Sequence, residues 1–255
     1  MKIKRISTMV AMVLVCGAGL AGRAGGTVVL NQIGDANAYN FEAPAGATPS
    51  QIFTGYGSTD YDCTVLEDFT VTTGMKLTLV SALFRASAGY LSFQNLEGYY
   101  LNVFSDAKLA TAAGTLTGDV ASVHLVAGSG AAVTVGEIID PGGNNQYGLV
   151  RMNVDIPLPA GTYWVGVSLK SAVTTDQFSL MHSGATGTDV TPGNANGKLA
   201  NPGQGLGGGA LTPMGFDYAY SVTVVPEPSA IMLGMLGGCG WLCRRQRVRQ
   251  AAAPA

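Results

Sequence analysis

The chain is poor in the residues that most often build catalytic, metal and disulfide sites. Its 255 residues include two histidines and four cysteines. Cys16, Cys239 and Cys243 lie in apolar segments near the two ends, which leaves Cys63 as the one thiol between them. Because a single thiol cannot form an internal bridge, the sequence excludes a disulfide-stabilised scaffold.

Recognisable catalytic motifs are also missing. His124 and His182 stand outside the H-E-x-x-H and G-x-S-x-G patterns of metalloproteases and serine hydrolases. The string GQGLGG at 203–208 matches G-x-G-x-x-G, but it follows Asn201-Pro202 without a helix that could hold a pyrophosphate. We therefore expect a protein that is not an enzyme. A secreted hydrolase whose catalytic groups meet only in space remains an alternative.

Charge is scarce and unevenly distributed. Charged residues make up 12% of the chain, and eight of its fourteen lysines and arginines lie in the two ends. Residues 25–225 carry six basic against fifteen acidic side chains, a net charge of −9. Such a surface repels phosphate backbones, so we expect no nucleic-acid partner.

The N-terminus has the pattern of a secretory signal peptide, which we place at residues 1–24. Lys2, Lys4 and Arg5 precede a charge-free run from Ile6 to Leu20, and small residues follow up to Ala24. Cys16 raises the alternative of a lipoprotein, but Val13-Leu14-Val15 lacks the small residues that lipoprotein processing requires. The pattern predicts export through the Sec machinery and cleavage near Ala24.

Residues 25–223 predict one all-β domain, a β-sandwich of jelly-roll type. No helical period is visible, and turn residues separate short alternating segments. Lys76–Ala86 is apolar on both faces, with Leu77, Leu79 and Leu83 on one of them, as in a central strand. The predicted strands are Glu67–Thr73, Lys76–Ala86, Tyr99–Phe104, Val120–Val126, Ala131–Ile139, Leu149–Ile156, Thr162–Lys170, Phe178–Met181 and Phe216–Val225. Residues 184–213, rich in glycine with three prolines, predict a long surface loop.

Two groups of body residues could bind a ligand. Asp60, Asp62, Glu67 and Asp68 form the densest acidic patch. It could hold a structural Ca²⁺, with Asp60, Asp62 and Asp68 as the candidate ligands, or be an ordinary acidic turn leading into a strand. We predict no other metal or cofactor. Trp164, Tyr99 and Tyr100 could stack on sugar rings if they are exposed, or fill the core if they are not. A carbohydrate-binding module is therefore the alternative function.

The C-terminal segment, 224–250, is the most specific feature. Pro226-Glu227-Pro228 precedes an uncharged apolar run at 229–243 and a basic cluster at 244–249. Fifteen helical residues span about 22 Å, less than a hydrocarbon core of about 30 Å, so the predicted membrane helix is a marginal anchor. Basic residues at both ends place both in the cytoplasm and the body outside.

This segment resembles the PEP-CTERM sorting signal of Gram-negative bacteria. The resemblance implies that an exosortase recognises Pro226, Glu227 and Pro228, with Arg244, Arg245 and Arg247 as the stop. It also implies an inner-membrane intermediate that is delivered to the cell surface or to an exopolysaccharide matrix. The body resembles, more loosely, β-sandwich passengers of such proteins through LEDFTV at 66–71, LPAGTYWVGV at 158–167 and DYAYSVTVVPEPS at 217–229. The expected function is that of an exported surface or matrix protein.

Overall fold

The computed structural model describes residues 26–34, 46–53, 58–87, 90–111, 116–138, 146–184, 189–207 and 209–227. Within them the chain is predominantly β, with short 3-10 helices at Thr59–Tyr61, Tyr90–Asn95, Ala107–Thr111 and Gly130–Ala132. The strands are β1 (Thr27–Asn31), β2 (Ala47–Pro49), β3 (Gln51–Ile52), β4 (Thr64–Val71), β5 (Met75–Ala86), β6 (Leu96–Phe104), β7 (Ala121–Val126), β8 (Val133–Ile138), β9 (Gln146–Leu158), β10 (Gly161–Ser171), β11 (Phe178–Met181), β12 (Lys198–Ala200), β13 (Leu211–Pro213) and β14 (Tyr220–Pro226).

The all-β prediction is confirmed, and each predicted segment overlaps a strand. The ends differ by up to four residues, the largest difference being Phe216 against the observed start of β14 at Tyr220. The unpredicted strands are β1, β2, β3, β12 and β13, each of two to five residues. Four of them have only two or three residues, too few to show an alternating pattern, and β1 has five.

The strands form two sheets of seven. In the first, β5 lies between β9 and β14, with β8 beyond β9 and β1 beyond β14. β11 pairs with the end of β5, and β2 pairs with β11. In the second sheet, β10 lies between β4 and β6, with β7 beyond β6 and β12 and β13 beyond β4. Pairing is antiparallel apart from that of β3 with the end of β10.

Both sheets contribute to one hydrophobic core. Alternate residues of β10, from Tyr163 to Leu169, lie in the same buried cluster as Val80, Phe84 and Val222 of the first sheet. The opposite face of β10 carries Trp164, Ser168 and other residues that point away from this cluster. The arrangement is therefore sandwich-like, and the outer face of the second sheet is formed by β4, β10, β6 and β7.

Strict alternation along β5 does not describe which side chains share a face. The register shifts between Leu77 and Leu79 against both neighbouring strands. As a result Leu77 lies in the core cluster with Val80 and Phe84, while Leu79 is only partly buried. The face assigned to Leu77 from the sequence was wrong because a β-bulge reverses the alternation locally.

Residues 184–213 are not loop throughout. β12 and β13 pair with each other and extend the second sheet from β4. The buried Asn201 fixes the connection, since its Nδ2 donates to the carbonyls of Asp60 at 2.7 Å and Asp62 at 2.9 Å. A Cβ on Gly203 would lie 2.2 Å from the Cα of Asp60, so this glycine permits a close backbone approach.

Candidate functional site

The predicted sorting signal begins where the last core strand ends. β14 lies between β1 and β5, and Val222 and Val224 on it are fully buried. Pro226 is the last residue of the strand, and both Pro226 and Glu227 are exposed. The predicted end of this strand at Val225 is confirmed to within one residue. The first two residues of the Pro-Glu-Pro motif are thus accessible from solvent.

A small set of charges surrounds this exit. Lys76 of β5 forms an exposed ion pair with Asp155, with a distance of 2.9 Å from Nζ to Oδ1. The hydrogen bond that Lys76 donates to the Asp155 carboxylate raises the pKa of Lys76, with a smaller contribution from the Glu227 carboxylate. Glu227 therefore emerges beside a lysine that already has a partner.

The remaining parts of both targeting segments lie outside the described residues. These parts are the expected signal peptide at 1–24, Pro228, the apolar run at 229–243, and Arg244, Arg245 and Arg247. In the part of the chain that is described, no helix is long and apolar enough to cross a membrane. The signal peptide and the membrane helix stay predictions.

The three aromatic residues considered for sugar stacking do not form one platform. Tyr99 is 6% exposed and belongs to the core cluster, so its ring is not available to a ligand. Tyr100 and Trp164 lie on the outer face and are half-buried. Tyr100 is opposite Ser168, and Trp164 is four residues from Ser168 along β10, about 13 Å away.

Tyr100 has a different aromatic partner, His124 of β7. The two rings are stacked, with centroids 4.1 Å apart and an interplanar angle of 13°. Gly98 makes room for them, because a Cβ there would lie 2.7 Å from Nε2 of His124. His124 is exposed and Tyr100 is half-buried, so this pair is accessible on the outer face. Sequence reasoning missed the pair because the residues come from different strands.

Trp164 is covered by a cation of the chain itself. Nζ of Lys198 lies 3.9 Å from the centroid of the indole ring and also donates to the carbonyl of Asn196 at 3.2 Å. The ring packs against a small buried cluster next to Leu116 and Leu211. A sugar ring could stack on that face only by displacing the ammonium group, so Trp164 is a poorer platform than the Tyr100–His124 pair.

The acidic residues considered for Ca²⁺ each have a hydrogen-bond partner within the chain. Asp60 lies in a 3-10 helix, and its carbonyl accepts from Asn201. Oδ1 of Asp62 accepts from the backbone N–H of Phe53 at 2.8 Å, and burial raises the pKa of this carboxyl. Oδ1 of Asp68 accepts from Nδ2 of Asn194 at 3.0 Å. Among the described residues, no three His, Cys, Asp or Glu side chains are grouped so that they could hold a metal ion.

One acidic side chain of that region, Glu67, points into the core. It is 1% exposed, and its Oε2 accepts a 2.7 Å hydrogen bond from the backbone N–H of Tyr218. Burial, with smaller contributions from the Asp217 and Asp68 carboxylates, raises the pKa of Glu67 to about 8. The alternation Val65, Glu67, Phe69, Val71 could have revealed this orientation, since the other three residues are core residues.

His182 belongs to a hydrogen-bonded aromatic cluster. Its ring centroid lies 3.7 Å from that of Phe216, and its Nε2 is 3.1 Å from Oγ1 of Thr48. The hydroxyl of Tyr218 donates to the same oxygen at 3.1 Å. Burial, followed by the Arg85 charge, lowers the pKa of His182. These contacts join β2 to residues 216–218 and leave the 5%-exposed Thr48 enclosed.

A shallow groove of about 540 Å³ lies beside this cluster, between residues 190–195 and 215–217. Its polar groups bond to one another: Oγ of Ser183 donates to Oε1 of Gln32 at 2.8 Å, and the N–H of Asn194 donates to Oδ1 of Asp217 at 3.3 Å. The groove therefore offers few free polar groups to a ligand.

Comparison of the sequence with protein-family models and with curated proteins found no match. The functional argument consequently depends on the residues and contacts described above.

Proposed function

We propose that this chain is an exported, non-enzymatic cell-surface or extracellular-matrix protein, delivered through a PEP-CTERM-type signal that an exosortase recognises. The observation that carries the proposal is the position of Pro226 at the exposed end of a buried strand. Because the core residues of β14 end at Val224, cleavage beyond Glu227 would leave the sandwich intact. A sorting signal that is removed by cleavage must lie outside the folded core.

The delivered domain is, in this proposal, a jelly roll. Among the strands, β1, β4, β5, β6, β7, β9, β10 and β14 can be numbered one to eight. The first sheet then has the order 1-8-3-6 and the second has the order 2-7-4-5. This order supports a jelly roll, in which successive strands alternate between the two sheets in Greek-key fashion, apart from the fourth and fifth, which pair with each other.

The route combines the two predicted targeting segments. Residues 1–24 lead the chain through the Sec machinery, and the run at 229–243 with its arginines holds it in the inner membrane. The exosortase then cuts within or after the Pro-Glu-Pro motif and passes the body to the surface or to the exopolysaccharide matrix. The net charge of −9 over residues 25–225 suits a soluble product.

Substitution of Glu227 tests the sorting proposal. In a bacterium with an active exosortase, Glu227→Ala should leave full-length protein in the inner membrane, because the recognised motif is lost. Asp189→Ala, which removes another exposed carboxylate, is the matched control and should be processed normally. Release of Glu227→Ala at the wild-type rate and with the mature mass would contradict the proposal.

The second candidate function, carbohydrate binding, is favoured by the exposed Tyr100–His124 pair. Stacked rings on an open sheet face can pack against the apolar face of a sugar. On a glycan array, binding by the purified protein should be saturable and should be lost in Tyr100→Ala. Binding that survives this change would refute the Tyr100–His124 pair as the binding site, and no binding at all would refute the carbohydrate-binding function.

A further inference from the structure

The two ends of the folded body meet at one place. β1 and β14 are antiparallel neighbours, and Thr27 is paired with Val224. Neighbouring strands lie about 5 Å apart, so the chain enters the body beside the point at which it leaves. A Cβ on Gly26 would lie 3.8 Å from Cγ1 of Val225, which places the residue before β1 against the end of β14.

Two turns share this end of the molecule. Met75 at the start of β5 is paired with both Leu158 and Pro226, and Val71 is paired with Gly161. The turns at 72–74 and 159–160 therefore lie beside the chain ends. Their residues, Thr72, Thr73, Gly74, Pro159 and Ala160, are exposed and uncharged. We call the surface formed by these two turns the terminal pole.

The link between this pole and the predicted membrane helix is very short. Three peptide steps lead from Pro226 to Ser229, where the apolar run begins. An extended chain covers at most about 3.5 Å per residue, so these three steps can span at most about 10 Å. The headgroup layer on each side of a bilayer is roughly 5–8 Å thick. The tether thus spans little more than the headgroups.

From this geometry we propose that, before it is cleaved, the protein stands on the outer surface of the inner membrane with its terminal pole against the lipid headgroups. The inference rests on the proposed function, because it requires the run at 229–243 to be inserted. The partner is an anionic or zwitterionic headgroup surface. The uncharged turns can approach it closely. Beside them, Lys76 and Asp155 form an ion pair without net charge, and Glu227 lies in the tether itself. The acidic remainder of the body is repelled by anionic lipids.

The opposite end of the sandwich should then be far from the membrane. β10 runs for eleven residues away from Gly161, which is about 33 Å, to a turn at 172–177. Thr174 in that turn and Thr73 in the terminal pole are both exposed threonines. They form a matched pair for measuring which end of the body faces the bilayer.

Cysteine labelling tests the orientation. Thr73→Cys and Thr174→Cys are made separately in the full chain and expressed in cells without exosortase, and spheroplasts are treated with a membrane-impermeant maleimide. The parent chain gives the background, to which Cys63 contributes little because it is fully buried and burial raises its pKa to about 12. Thr73→Cys should react several-fold more slowly than Thr174→Cys in spheroplasts, and equally fast after solubilisation in detergent.

The outcomes separate this inference from the proposed function. If the unprocessed chain stays in the membrane and both cysteines react at the same rate, the orientation is refuted while the sorting proposal stands. If the unprocessed chain washes off the membrane, the sorting proposal fails and the orientation fails with it. Unequal rates that persist in detergent would show a local effect at the two turns and would also overturn the inference.

Discussion

The buried carboxyl of Glu67 should make the stability of this protein strongly dependent on pH. The side chain lies on the core face of β4 and is 1% exposed. Its folded-state pKa is about 8 because burial disfavours the charged form, whereas the ordinary value is 4.5. The hydrogen bond from the N–H of Tyr218 offsets this effect only in part.

The sign of the pH effect follows from which state holds the proton. Between pH 4.5 and about 8, the folded protein keeps a proton on Glu67 that the unfolded chain has lost. The free energy of unfolding therefore falls as the pH rises, by about 1.4 kcal/mol per pH unit. Over the whole window the loss is about 5 kcal/mol, a large part of the stability of a typical domain. Below pH 4.5 and above about 8, this contribution no longer changes.

Glu67→Gln isolates this effect. The amide is similar in size to the carboxyl and is neutral at every pH, so the variant should gain stability relative to wild type as the pH rises from 5 to 8. Urea unfolding of the purified protein at each pH gives the difference in the free energy of unfolding. If the new amide N–H groups lack acceptors, the free energy of unfolding changes by the same amount at every pH. The quantity to compare is therefore the slope of the free energy of unfolding against pH, not its absolute value.

A matched variant and a clear negative result complete the test. Glu97→Gln removes an exposed carboxylate that pairs with Lys170, and it should retain the wild-type slope because Glu67 is unchanged. If Glu67→Gln and wild type show parallel curves of stability against pH, the burial argument for Glu67 is refuted.

Two further predictions concern packing and hydrogen bonding. Gly98→Ala should destabilise the protein by about 1–3 kcal/mol in urea unfolding, because the new Cβ meets the His124 ring. Gly74→Ala should be nearly neutral, because no atom lies within 4 Å of the position that its Cβ would take. Equal effects of the two changes would contradict the close packing at Gly98. Asp176→Ala should cost about 2–4 kcal/mol by thermal or urea unfolding, since the buried carboxylate accepts from Oγ of Ser171 at 2.7 Å and Nδ2 of Asn95 at 3.1 Å. Asp155→Ala, which breaks an exposed ion pair, should cost less than about 1 kcal/mol, and a larger loss there than at Asp176 would contradict this ranking.

Some of this architecture could be read from local pattern. The period-two alternation of β10 puts Tyr163, Val165 and Val167 on one face, and these residues are core residues, because side chains of a strand point alternately to opposite faces. The alternation also puts Tyr99 and Tyr100 on opposite faces of β6, but it does not show which of the two faces is buried. The aromatic-rich segment around these residues did not show this either. The inward orientation of Glu67 was visible in the alternation of β4, but its charge suggested a surface position.

Other features depend on pairings between distant residues. The stacking of Tyr100 on His124, the cover of Lys198 over Trp164 and the bulge at Leu77 each require a neighbouring strand that local sequence does not specify. β12 and β13 exist as strands because β4 offers an edge and Asn201 anchors their connection. Their glycine-rich sequence alone predicts a loop.

By itself, the sequence determined the β character of the body, the acidic charge of residues 25–225 and the composition of the two end segments, because these depend only on local alternation and on residue type. The tertiary structure decided which aromatic rings are accessible, where Glu67 is buried, and that Thr27 lies beside Val224. These last features join residues up to nearly two hundred positions apart, and only the packing of two sheets around a common core brings such residues together.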